Sequence, residues 1–122
     1  MQKRVVVGVL AMSLFTAAAL DAGQPLRMQV SPSVARAPAD LVVRVSLDAA
    51  AGDRFLQVVA ESDDFYRASE ISIDADRTPP MNVFEFRNLP SGLYQVTSVL
   101  VGVNGRRAAV SKVAKVEPPF GR

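Results

Sequence analysis

The stretch NLPSGLYQV, Asn88–Val96, decides how this sequence is read. Pro90 fixes φ near about −65°, and Gly92 is expected to supply a positive φ, so the chain reverses here between two extended segments. Beyond the reversal Tyr94, Val96, Ser98 and Leu100 alternate on one face of a strand, while Leu93, Val99 and Val101 lie on the other, joined by Val103 further on. A period of two is a strand signal. The Tyr94 ring is predicted to face the core, where its hydroxyl needs a partner and backbone a few residues upstream lies within reach.

The same period recurs outward from this corner. Downstream, Val103-Asn104-Gly105-Arg106 predicts a hairpin, with Asn104 and Gly105 in a type I′ turn. Arg107–Val116 is the last strand, and a β-bulge is expected at Lys112-Val113, where its alternation slips. Upstream, Phe84 and Phe86 mark a strand over Val83–Arg87, and Ile71 and Ile73 mark one within Phe65–Asp74. Leu56, Val58 and Ala60 define Arg54–Ala60; Leu41, Val43, Val45 and Leu47 define Asp40–Leu47; Leu26, Met28 and Val30 begin the series before Ser31-Pro32 breaks it. Seven short strands bounded by turn residues, with no helical period among them, predict an all-β fold, a single seven-stranded antiparallel β-sandwich.

The N-terminal residues read differently. Lys3 and Arg4 precede the apolar run Val5–Leu20, and small residues gather at Ala17–Ala19 and Ala22. That order predicts a secretory signal peptide over 1–22, shorter than the roughly 20 apolar residues of a membrane-spanning helix. An uncleaved membrane anchor is the alternative; with cleavage, membrane contact is only transient, and the destination is the periplasm or the cell exterior. The domain is expected over 23–117 and a tail over 118–122, starting at Pro118-Pro119.

Asn88–Val96 also carries a resemblance. Leu89-Pro90-Ser91-Gly92-Leu93-Tyr94-Gln95-Val96 resembles the Leu-Pro-x-Gly-x-Tyr-x-Val corner of bacterial Ig-like sandwiches. The prealbumin-like carboxypeptidase regulatory-like domains show the same kind of corner, and fibronectin type III domains a similar one with one more residue between Leu and Tyr. The resemblance implies an Ig-like topology, with Leu89, Pro90, Gly92 and Tyr94 as its structural corner. It implies no activity, because this architecture hosts many functions.

Composition removes most chemistry. The whole sequence has no His and no Cys, which takes away the Ser-His-Asp triad, thiol nucleophiles and metal sites built on imidazole or thiolate. Ser111 and Lys112 are adjacent on one strand and point to opposite faces, so they form no dyad. Glu61, Asp63 and Asp64 in one loop and Asp74 and Asp76 around the next offer oxygen ligands for Ca²⁺, without the regular spacing of a calcium loop. Such residues are also the ordinary constituents of solvated turns. The 14 basic and 12 acidic side chains nearly balance, which is no nucleic-acid footprint. Arg106, Arg107, Lys112 and Lys115 are expected to protect an exposed strand edge.

These readings predict an exported, non-catalytic binding or structural module without cofactor, recognising a protein or glycan. The candidate interaction surface is Leu93, Val99, Val101 and Val103, since apolar residues on both sides of a strand mark a second face that is not wholly wet. An accessory subunit of an envelope complex, docking through the same face, is the alternative. A calcium-dependent or carbohydrate-active protein is a remote one. The oligomeric state stays open.

Overall fold

Eight strands, most of them marked by alternating apolar side chains, form among residues 24–120, the part of the chain that the computed structural model describes. They are β1 (Leu26–Ser31), β2 (Val34–Arg36), β3 (Ala39–Leu47), β4 (Asp53–Glu61), β5 (Tyr66–Ser72), β6 (Met81–Leu89), β7 (Gly92–Gly102) and β8 (Gly105–Glu117). One sheet is antiparallel in the order β1-β3-β6, and the other runs β2-β8-β7-β4-β5. The expected signal peptide, residues 1–22, lies outside the described residues.

The strand count and the pairing correct the sequence reading. There are eight strands rather than seven, and β2 pairs parallel with β8, so the five-stranded sheet is mixed. Ser31-Pro32 does break the first strand, but the chain then crosses to the other sheet and pairs again. The ladder there is extended by bonds of 2.8 Å from Lys115 N–H to the Ser33 carbonyl and from Ala37 N–H to the Glu117 carbonyl. Only Ala35 of β2 is partly covered, between exposed Val34 and Arg36. Three residues are too few to show a period.

Between the sheets, Leu26 and Met28, then Leu41, Val43, Val45 and Leu47, then Phe84 and Phe86 face Leu56, Val58, Ala60, Tyr94, Val96, Leu100, Ala114 and Val116. With no disulfide, this core is what holds the sheets together. Burying one such aliphatic side chain is worth about 1.5–3 kcal/mol.

The corner closes one end of the sandwich. Tyr94 is fully buried, and its hydroxyl donates to the Pro90 carbonyl at 2.7 Å, the upstream backbone partner expected from the sequence. Burial pushes the phenol above its ordinary pKa, which keeps the donating form in place. Gly92 has the positive φ expected of it (159°), and Asn88 adds a left-handed residue (φ 59°) of a type that tolerates this region. A Cβ at Gly92 would stand 3.2 Å from both Cβ and Oγ of Ser62, closer than ordinary contact. Phe65 packs edge-to-face on Tyr94, with ring centroids 6.2 Å apart. Arg67 stacks over Phe65 and donates from Nη1 to the Arg87 carbonyl at 2.7 Å, linking β5 to β6 across the open side.

The hairpin between β7 and β8 is present, but it is not type I′. Gly105 has positive φ (104°) while Asn104 does not, so glycine alone carries the left-handed step. The β7–β8 register is continuous from Gly92↔Val116 to Leu100↔Ala108 and shifts only beyond it, to Val101↔Arg106. The irregularity in β8 is therefore at Arg107 and not at Lys112-Val113. Lys112 sits in register with core Val96 and stays exposed at the rim of the sandwich, which is what interrupts the apolar alternation.

Two substitutions test this core. Tyr94→Phe is expected to lower stability by about 1 kcal/mol, the net worth of one hydrogen bond, in urea unfolding. A loss near zero would mean that the Pro90 bond contributes nothing. Ser98 is fully buried, and its hydroxyl has no hydrogen-bond partner among the described residues. Removing an orphaned donor relieves its desolvation, so Ser98→Ala is expected to be neutral or to stabilise by up to about 1 kcal/mol. A clear destabilisation in the same assay would show that the hydroxyl is satisfied in solution.

Candidate functional site

The outer face of the five-stranded sheet is built by the phase of the core. Because Tyr94, Val96, Ser98 and Leu100 point inward, Leu93, Gln95, Thr97, Val99 and Val101 of β7 must point outward. Register carries that face sideways. Phe55, Gln57, Val59 and Glu61 of β4 lie beside Val101, Val99, Thr97 and Gln95, and Ser72, Glu70, Ala68 and Tyr66 of β5 lie beside those. On the other flank Arg106, Ala109, Ser111, Val113 and Lys115 of β8 continue the rows. Thr97 and Ser111 hydrogen-bond each other at 2.9 Å within it.

The predicted interaction residues divide on this face. Leu93 is 65% exposed and Val103 is exposed at the hairpin, while Val101 is half-buried. Val99 is only 7% exposed, held in register between Gln57 and Ala109, so it offers little to a partner. Two exposed apolar side chains were missed, Val113 at 60% and Tyr66 at 62%. Val113 was concealed by the misplaced bulge. Once Ala114 and Val116 are assigned to the core, alternation alone puts it outside.

The carboxylates do not converge. Glu61 and Asp63 border an open recess of ≈ 550 Å³ whose other side is formed by Leu93, Gln95 and Val113. Asp74 is engaged in its own turn, where Oδ1 accepts from Asp76 N–H at 3.1 Å and its N–H donates to Thr78 Oγ1 at 2.8 Å. Among the described residues no three His, Cys, Asp or Glu side chains are grouped to hold a metal ion.

The strongest electrostatic feature lies at the hairpin end, where Arg107 was expected to protect a strand edge. Asp53 and Arg107 form a two-pronged pair, Nε to Oδ1 at 2.8 Å and Nη2 to Oδ2 at 3.0 Å. Oδ2 of Asp53 also accepts from Ala50 N–H at 2.7 Å, and Arg107 Nη2 donates to the Asp48 carbonyl at 3.1 Å. Both residues stand at register shifts, Asp53/Phe55 in β4 and the Arg107 step in β8, on either side of β7. The arginine thus clips the β3–β4 connection to β8 and does not guard an edge. At the far end of β8, β2 covers the edge at Lys115, which also needs no guard there.

No family model matches this chain, and no curated protein matches it. Solved structures do. One is a superoxide reductase (neelaredoxin) from Ignicoccus hospitalis, with a TM-score of 0.57 and 18% identity over 77% of this chain and 81% of that one. Another is a family 76 glycoside hydrolase from a bovine Bacteroides thetaiotaomicron strain, with a TM-score of 0.52 and 15% identity over 75% of this chain and 20% of that one. At these identities the likeness shows the fold alone. It is an all-β sandwich, consistent with an Ig-like type of domain. The activities belong to those proteins, and a sequence without His or Cys has no imidazole or thiolate to offer a transition metal.

The Asp53 pair generates a pH dependence. The Arg107 guanidinium holds the carboxyl below its usual 3.8, against the opposing effect of burial. A depressed folded-state pKa means that the stabilisation is fully present above about pH 4 and is lost as pH falls through the folded value. Arg107 is 37% exposed, so solvent screens part of the pair even though the Asp53 side chain is only 1% exposed. Asp53→Asn is expected to cost about 2 kcal/mol at neutral pH, a gap that narrows in acid. Urea midpoints of both proteins at neutral pH and near pH 3 check this, and a constant gap would contradict it.

Proposed function

We propose that this chain is an exported, non-catalytic binding module of the cell envelope or the cell exterior, and that it docks its partner on the outer face of the five-stranded sheet. Export is supported by the basic start, the apolar run and the small residues of 1–22. An Ig-like assignment is supported by the sheet orders β1-β3-β6 and β2-β8-β7-β4-β5 and by the Tyr94–Pro90 bond.

The observation that carries the docking reading is the exposure of Leu93, Val113 and Tyr66 at the corner end of a single face that also holds half-buried Phe55, Val59 and Val101. Exposed apolar side chains sharing one face with polar ones, Glu61 and Gln95 among them, fit a recognition surface. The outer face of the three-stranded sheet differs. It presents Arg27 and Gln29 on edge strand β1 and Arg44 and Ser46 beside half-buried Val42 on β3, with exposed Met81 and Val83 on the other edge strand, β6.

Photo-crosslinking in the producing cells tests the assignment. A photoreactive residue at Leu93 or Val113 is expected to give a covalent adduct of discrete mass, and one at Val83 none. Equal labelling from both sheets, or none from Leu93 and Val113, would remove the five-stranded face as the docking surface.

A further inference from the structure

The outer face of the five-stranded sheet divides its charges by column. Its acidic groups, Glu61 and Glu70, stand on β4 and β5, to one side of the sheet's midline. The basic groups Arg106 and Lys115 stand on β8, to the other side. Glu117, also on β8, is already met by Arg36 at 3.5 Å and by Lys115 at 3.9 Å, so that flank keeps a positive balance. The middle strands β4 and β7 present apolar Phe55, Val59, Val99 and Val101 together with the uncharged polar Gln57, Gln95 and Thr97. A surface acidic on one side, basic on the other and mostly uncharged between is complementary to itself under one kind of rotation.

Resting on the reading of this face as a docking surface, we propose that its occupant is a second copy of this chain, joined face to face about a two-fold axis parallel to the strands between β4 and β7. That operation exchanges β4 with β7 and β5 with β8 at the same level. Phe55 then meets Val101 of the second copy, Val59 meets Thr97, and Tyr66 meets Val113. Glu70 arrives at the level of Ala109, one diagonal step from Arg106, and Glu61 arrives beside Gln95, one diagonal step from Lys115. Diagonal neighbours on a sheet remain within reach of long side chains, and packed sheets rotate by about 30°, which leaves those pairings accessible.

The alternatives are worse. A two-fold axis across the strands keeps each column on itself and sets Glu61 on Phe55 and Arg106 on Val113, burying charges against apolar groups. On the three-stranded sheet, an axis along β3 sets Arg44 on its own copy, a like-charge contact. The size also fits. Four strands about 4.8 Å apart and nine residues at about 3.4 Å each give a footprint of about 19 by 30 Å, or about 570 Å² before corrugation. Specific interfaces begin at about 600 Å² per partner, so the dimer belongs among reversible assemblies.

Sedimentation equilibrium of the chain recovered from cells expressing the full sequence, from low micromolar to submillimolar concentration, tests the proposal. A monomer–dimer equilibrium is expected. Val113→Glu should shift it to monomer with an unchanged urea midpoint, and Glu70→Arg should weaken the dimer about tenfold by facing Arg106 with a like charge. Adding Arg106→Glu to Glu70→Arg should restore it, a rescue that only this pairing of copies provides. A wild-type chain that stays monomeric throughout, a dimer indifferent to Val113→Glu, or a double variant without rescue would overturn the proposal. The photo-adducts from Leu93 and Val113 separate this failure from that of the docking surface. Adducts of twice the chain mass support the second copy; adducts with a different protein overturn it and leave the surface standing; no adduct overturns both.

Discussion

Strand β7 is hydrogen-bonded on both sides along nearly its whole length, to β4 and to β8, and the rest of the structure depends on that double pairing. A central strand with no free edge cannot slip in register without moving both neighbours. A slip of one residue would turn Tyr94, Val96 and Leu100 outward. The Tyr94–Pro90 bond pins the register at the strand's start, because the hydroxyl reaches that carbonyl only when the ring is inside. The Asp53–Arg107 pair pins the other end from the flanking strands. Core and outer face are thus fixed by the same constraint, and an exposed Leu93 is the geometric consequence of a buried Tyr94.

The two register shifts at the hairpin end explain how an ion pair comes to be enclosed there. Each shift gives one flanking strand an extra residue beside β7, and Asp53 and Arg107 both stand at these irregular positions. The carboxylate gains three donors from Arg107 and Ala50 once it is out of water. That satisfies the lone pairs whose neglect makes a buried charge costly. With no disulfide to join the β3–β4 connection to β8, the clip supplies a cross-link that acidity can weaken and an oxidising or reducing environment cannot.

How much of this is legible in the sequence follows from the range of each signal. The core strands are legible because period two over five or more residues is local, and the corner is legible because Pro90 and Tyr94 lie within one short motif. β2 is not, since three residues with one inward side chain carry no period. The pairing of Asp53 with Arg107 spans 54 residues, and each has an ordinary local explanation as turn aspartate or post-hairpin arginine. Their meeting becomes visible only when both are placed at the same end of the two strands that flank β7. Lys112 misled for a different reason. A long side chain at a sandwich rim occupies the inward phase while keeping its ammonium in water, and the pattern then resembles a bulge.

The same logic bears on function. Several polar groups are engaged within the fold: Asp53 with Arg107, Asp74 with its own turn, Tyr94 with Pro90, Thr97 with Ser111. The outer face of the five-stranded sheet also leaves apolar side chains exposed. Leu93, Val113 and Tyr66 stand on a hydrogen-bonded sheet, so the docking proposed for this face would use a surface whose ordering entropy has already been spent in folding. Flat sheet faces also favour large, shape-matched occupants over small ligands, which require concavity. Among such occupants, another sheet of the same twist matches best, and a second copy carries that twist by construction.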